Sequence, residues 1–318
     1  MRVTARRYLR EYRGMLKALE LEEPLDVFLY RPLAFLLVKA LALGRITPNQ
    51  VTLASLIPGF ASAWCFWQGT PAGYLAGAIL LFATNVLDCA DGMLARVRGT
   101  SSLTGYILDG LVDYIIQVTL IISLLHGLVV QFGDPRLSWF MGVPAGLSFA
   151  WWSAMVDRLR NEWLERVYDR RRDPHQELAG LQQQTAVWRQ EGTHRVDRLL
   201  VGMFAIYVRL WYGRRCQGYL LASNEPLSLW KQRRLPLLRM AIWMGPTMHL
   251  TLIMVAGVLG RPDWYLWTAL VFGTIWGLSI LLLRVIADRS PLFLAPREAR
   301  SASSSARGRS GDTPASSD

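Results

Sequence analysis

The chain has 318 residues, is 52% hydrophobic with 13 tryptophans, and carries a formal net charge of +11. Those figures leave a large soluble domain or a polytopic membrane protein, and the gathering of the apolar residues into long runs decides for the membrane. Three cysteines, Cys65, Cys89 and Cys216, are an odd set without metal-ligand spacing, which excludes a cysteine metal centre and makes them packing residues.

Residues 1–20 are basic, broken by Arg2, Arg6, Arg7, Arg10 and Arg13, and hold no apolar core, so no secretion signal is expected there. Residues 25–43 are apolar around most of a helix but carry Arg31 and Lys39, and Pro32 suits a first turn. Such a helix is expected to lie in the headgroup region, a short spanning helix being the alternative. ITPNQVT, residues 46–52, comes next. Pro48 holds the residue before it extended, and Thr47, Asn49 and Thr52 offer hydrogen bonds at the membrane surface ahead of a helix start.

Apolar runs near the roughly 20 residues that cross a bilayer recur at residues 51–67, 72–87, 115–130, 137–155, 240–259 and 264–283, and predict six spans. Gly59, Ser62 and Ala63 on the first and Gly73, Gly77 and Ala78 on the second predict a close helix pair. Arg96 and Arg98 follow span two; Arg158, Arg160, Arg166 and residues 170–172 follow span four; Lys231, Arg233, Arg234 and Arg239 precede span five. The positive-inside rule therefore places both termini and the segment between spans two and three in the cytoplasm.

That segment reads DCADGMLARVRGTSSLTGYILDGLVDYI, residues 88–115. At helical spacing Asp88, Asp91, Gly92 and Ala95 make one stripe, and Gly105, Asp109 and Asp113 make another. Two helices joined by the short polar turn of residues 97–104 bring four carboxylates into one small volume, where they repel unless cations hold them. Mg²⁺ prefers oxygen ligands and is usually bound by a few carboxylates together with substrate phosphates, so the pattern points to phosphoryl-type chemistry. Gly92, Ala95 and Gly105 leave a trough without side chains for a flat base or a diphosphate, and Arg96 adds a fixed positive charge beside it.

Residues 157–236 read as a long cytoplasmic insertion, charged and polar at first, then amphipathic over residues 195–221. There Leu199, Leu200, Phe204, Val208 and Trp211 stand among Arg198, Arg209, Arg214 and Arg215, the composition of a membrane-surface element. The histidines, His126, His175, His194 and His249, lack zinc spacing, and His249 within span five reads as a packing residue. Residues 290–318, rich in Ser, Ala, Arg and Gly, are expected to be disordered. The positive charge lies beside apolar spans and suits an anionic leaflet, and no RNA or DNA module is visible, so nucleic acid is not the expected partner. The expected fold is all-α: a polytopic membrane bundle of six transmembrane helices with an N-terminal interfacial helix and a cytoplasmic helical insertion. Its divisions are 1–45 (basic and interfacial helices), 46–156 (spans one to four with the acidic motif), 157–236 (insertion), 237–289 (spans five and six) and 290–318 (tail).

The pattern DxxDGxxAR, eight residues, then GxxxDxxxD resembles the signature of the CDP-alcohol phosphotransferase, or CDP-alcohol phosphatidyltransferase, family. Asp88, Asp91, Gly92, Ala95, Arg96, Gly105, Asp109 and Asp113 fill its fixed positions. The resemblance implies an integral-membrane transferase of phospholipid synthesis that moves a phosphoalcohol group from a CDP-alcohol such as CDP-diacylglycerol to a hydroxyl acceptor and releases CMP. It implies two divalent ions, Mg²⁺ or Mn²⁺, on Asp88, Asp91, Asp109 and Asp113, with cytidine against Gly92, Ala95 and Gly105 beside Arg96. It further implies Asn49 near the nucleotide, Asp113 as the base for the acceptor hydroxyl, membrane lipid as a partner, and a homodimer. The context GYILDGLVDY is similar to the bacterial and archaeal branch, hence the bacterial inner membrane with a cytoplasmic site. Arg158, Arg160, Arg233, Arg234 and Arg239 stand where an acceptor phosphate would bind, although positive-inside anchoring accounts for most of them. Two alternatives stay open: transfer of a small polar phosphoalcohol such as inositol phosphate from its CDP form, and, in another class, a cation transporter, which also gathers carboxylates in a membrane.

Overall fold

The computed structural model describes residues 11, 12, 14, 19–100, 103–169, 174–192, 195–212 and 226–289. The expectations for residues 1–10, 170–172 and 290–318, and for His194, Arg214, Arg215 and Cys216, lie outside the described residues. Among those described every regular element is helical: α1 (Arg31–Ala42), α2 (Pro48–Trp67), α3 (Pro71–Arg98), α4 (Leu103–Phe132), α5 (Pro135–Tyr168) and α6 (Pro174–Gln190). They continue with α7 (Arg195–Tyr212), α8 (Leu227–Ile242), α9 (Pro246–Val258), α10 (Asp263–Trp267) and α11 (Gly273–Arg289).

The helix starts follow local chemistry. Thr47 caps α2 in a reciprocal box: its hydroxyl accepts from the Gln50 backbone N–H at 3.3 Å, and the Gln50 side chain accepts from the Thr47 N–H at 2.8 Å. Pro48 then occupies the first turn, where its missing N–H costs nothing. Thr70 caps α3 by accepting from the Gly73 N–H at 3.1 Å, with Pro71 in the first turn.

Among the described residues four stretches are long and apolar enough to cross a membrane: Pro71–Arg98, Thr104–Phe132, Leu227–Val258 and Asp263–Ala287. Of the six expected spans, those on α2 and α5 do not meet that measure. Asn49, Gln50, Thr52, Ser55, Pro58 and Ser62 dilute α2, and Ser138, Gly142, Pro144, Gly146 and Ser148 dilute α5. The stretch read as span five is also two helices, because Gly245 is extended ahead of Pro246 and breaks α8 from α9. Helix α5 runs without interruption past residue 156 into the segment read as insertion.

Helix α3 is central and packs on α1, α2 and α9, while α2 also packs on α4. Small residues permit this closeness. The Ser62 hydroxyl donates to the Gly77 carbonyl at 2.8 Å, and a side chain at Gly77 would run into the Phe66 ring. Phe66, Tyr74, Leu81, Leu120, Leu124 and Ile253 are buried where these helices meet. Below the acidic motif, Ala34, Phe35 and Val38 of α1 pack on Ala90, Met93 and Leu94 of α3. Helices α6 and α7 form a hairpin laid against the first turns of α4.

Candidate active site

The acidic residues stand on the last turns of α3 and the first turns of α4, and the end of α3 is tied down. Gly99 ends α3 with a φ of 62°, a left-handed cap that glycine adopts without steric cost, and the Thr100 N–H closes back on the Ala95 carbonyl at 3.0 Å. The Arg98 guanidinium donates to the carbonyls of Leu41, Gly44 and Ile46 at 3.1, 2.7 and 2.5 Å. These bonds satisfy carbonyls left over where α1 ends and hold the end of α3 against the link to α2.

Asp88, Asp91 and Asp109 each present a carboxylate oxygen, and the three oxygens lie within 4.8 Å of one another. An octahedral Mg²⁺ with bonds of about 2.0–2.1 Å separates opposite ligands by about 4.2 Å, so the trio fits a hard divalent ion after slight closure. Asp113, one turn beyond Asp109, stands outside that trio, with its side chain beside that of Asp88. All four acids therefore converge, three as a ligand set and the fourth in contact with one of them.

Asp91 is only 4% exposed, and its carboxylate has fixed donors. The Thr52 hydroxyl donates to it at 2.5 Å, and the Gly92 backbone N–H donates as well. Ser55 donates to the Thr52 carbonyl at 2.7 Å, so the buried face of α2 supports this side of the cluster. A side chain built at Gly92 would meet the Arg96 guanidinium at 3.6 Å and nothing closer, so the space over Gly92 is bounded by that cation. Ala95 and Gly105 are half-buried. Asn49 is exposed on the first turn of α2, and Thr52, three residues on, is the residue of that stretch in contact with a site carboxylate. Sequence reasoning noted Thr52 only as a surface hydrogen-bonding group. Its i, i+3 spacing from Asn49 was the signal that both share one helix face.

A second set of buried charges went unread in the sequence. Arg31 pairs with Glu22 at 2.7 Å, and Arg160 with Glu23 at 3.1 Å. Glu23 also accepts from the Met248 N–H at 3.2 Å in the first turn of α9, filling the space a side chain at Gly245 would need. Thr247 donates to Asp26 at 3.0 Å, and the Cys89 thiol lies 3.9 Å from the same carboxylate. Burial pushes the Glu23 carboxyl up to about 7, against the opposing pull of the Arg160 guanidinium, and burial likewise raises Asp26. Arg160 is thus engaged with Glu23 and Asp157, and Arg158 stands 3.6 Å from Glu162. His249 is buried, stacked on Phe149 with centroids 4.5 Å apart and 3.4 Å from the Tyr265 hydroxyl, which is a packing environment.

Residues 45–163 match the family model of CDP-alcohol phosphatidyltransferase. The matched span holds α2, α3, α4 and most of α5, with all four aspartates. No curated protein matches the chain.

Proposed function

We propose, from the premise that the chain belongs through residues 45–163 to the CDP-alcohol phosphatidyltransferase family, that it transfers a phosphatidyl group from a CDP-alcohol such as CDP-diacylglycerol to a polar hydroxyl acceptor. Family membership carries the coarser statement, phosphoalcohol transfer from a CDP-alcohol in lipid synthesis. The observation that supports the finer reading is the gathering of Asp88, Asp91 and Asp109 within 4.8 Å at helix ends beside the open face of Gly92. Carboxylates set along a transport path deeper in the bilayer would favour a cation transporter instead.

In this reading Asp88, Asp91, Asp109 and Asp113 would hold two divalent ions, Mg²⁺ or Mn²⁺, whose charge would offset that of the diphosphate and of departing CMP. Gly92, Ala95 and Gly105 seat the cytidine, Arg96 bounds the seat, and Asn49 stands at its nucleotide end. Asp113 accepts the proton of the acceptor hydroxyl as that oxygen bonds to phosphorus and the bond from phosphorus to CMP breaks.

The same reading has α2 and α5 complete six crossings, α1 lie in the interface, and residues 157–236 stand on the cytoplasmic side of a bacterial inner membrane, in a homodimer. The test is CMP release by purified protein with Mg²⁺, offering CDP-diacylglycerol or CDP-linked small alcohols against a panel of polyol and phosphate acceptors. Release that needs the metal and one acceptor supports the proposal and names the acceptor. Release only from a CDP-linked polyol moves the donor to the small-alcohol class, and no release from folded, metal-binding protein overturns the enzyme reading.

A further inference from the structure

The hairpin of α6 and α7 lies outside residues 45–163, yet it packs on the helix that carries Asp109 and Asp113. Ile107 of α4 is buried with Leu181 of α6 and with Leu200, Phe204 and Val208 of α7. The outer faces of the two hairpin helices differ. On α6, Gln182, Gln183 and Gln184 are exposed. On α7 the exposed stripe is Leu199, Met203 and Ile206, at i, i+4 and i+7, with Leu199 65% and Ile206 59% exposed. Exposed Arg195 and Arg209 bracket that stripe, and the helix carries one acid, Asp197, against Arg195, Arg198 and Arg209.

A helix with one apolar stripe buried in the protein and a second turned outward, edged by arginines, is built for a boundary between water and hydrocarbon rather than for water. Helix α1 likewise turns one apolar stripe inward, on the other acid-bearing helix, and another outward. Its Ala34, Phe35 and Val38 pack on α3, while Leu33 and Leu36 are exposed. Tyr106 and Tyr114, exposed on the first turns of α4, are the side chains that favour the headgroup level. The inner stripe of α7 thus holds the helix on α4 at the end of a membrane-length helix, and the arginines beside the outer stripe complement an anionic surface.

We propose that α7 seats its outer stripe in the headgroup layer of an anionic leaflet, with Leu199, Met203 and Ile206 reaching the acyl boundary and Arg195 and Arg209 on lipid phosphates. The lipid surface then braces the acid-bearing turns of α4 from one side as α1 braces those of α3 from the other. This rests on α3 and α4 crossing the membrane and not on the reaction proposed above.

The test uses the full-length protein in nanodiscs that contain phosphatidylglycerol or phosphatidylcholine bearing a diazirine at the shallow end of one acyl chain. After irradiation and digestion, adducts are mapped by mass spectrometry. Expected are adducts on residues 199–206 comparable with those on residues 33–36, severalfold more from the anionic probe, and background on residues 182–184. Leu199→Glu with Ile206→Glu, which alters exposed positions only, is expected to cut the α7 adducts severalfold while those on α1 and the helical circular dichroism stay unchanged. Adducts confined to α1 and the spans, equal labelling of α6 and α7, or a second copy of the chain cross-linked at residues 199–206 would overturn the proposal. Equal α7 yields from the two lipids would overturn the role of Arg195 and Arg209.

Discussion

Thr52 donates a hydrogen bond to the Asp91 carboxylate at 2.5 Å, joining two helices across 39 positions of sequence. Groups that orient a metal ligand from behind typically affect metal affinity or activity by about 10–100-fold. Thr52→Val is expected to weaken Mn²⁺ binding, followed by electron paramagnetic resonance, within that range, while Thr52→Ser keeps most of it. Unchanged affinity in the valine variant would reduce the bond to helix packing.

Asp113, the base of the proposed reaction, stands outside the three-carboxylate set and beside Asp88. Asp113→Asn keeps the shape and removes the basic oxygen. Turnover is expected to fall by about 10²–10⁴-fold, the usual contribution of general base catalysis, a larger loss than any weakening of donor binding read by calorimetry. A rate close to that of the parent protein would take Asp113 out of this role.

Gly127 on α4 faces the Phe66 carbonyl so closely that a Cβ there would overlap it, and a backbone oxygen inside a helix has no room to retreat. Gly127→Ala is expected to cost about 1–3 kcal/mol, the usual penalty for overpacking, read as a lowered midpoint of thermal unfolding in detergent. Gly110→Ala on the same helix, where nothing lies within 4 Å, is the control and should not lower the midpoint.

Burial raises the Glu23 carboxyl from 4.5 to about 7, so between those values the folded protein keeps a proton that the unfolded chain has released. With more protons bound in the folded state, this group's contribution makes stability fall as pH rises through that window and level off above it. Glu23→Gln removes the titration. The unfolding midpoint of the parent minus that of Glu23→Gln should therefore decline from about pH 4.5 to about pH 7, and a flat difference would count against the shift.

Much of this was open to reading because its causes are local. Thr47, Pro48 and Gln50 announce a helix start within four residues, and the small residues about Ser62 and Gly77 announce a close pair. The breaks and composition of the spans were read less well. A long apolar run hides the Gly245 and Pro246 break between α8 and α9, and the Gly, Pro and Ser content of α2 and α5 lowers their hydropathy without ending their helices. The network about Glu23 was illegible, since its partners Arg160 and Met248 lie 137 and 225 positions away.

By itself the sequence determined that the chain is helical, that Asp88 and Asp91 share one stripe and Asp109 and Asp113 another, and that the motif resembles that of a known family, because helical period and motif spacing are properties of neighbouring residues. Only the tertiary structure decided that Asp88, Asp91 and Asp109 are the close trio, that Thr52 supports Asp91, and that the hairpin of α6 and α7 lies on α4. Those outcomes depend on how far each helix turns and how near it comes to its neighbour. Side-chain volumes such as Phe66 against Gly77 and Gly127 set that approach, between residues far apart in the chain.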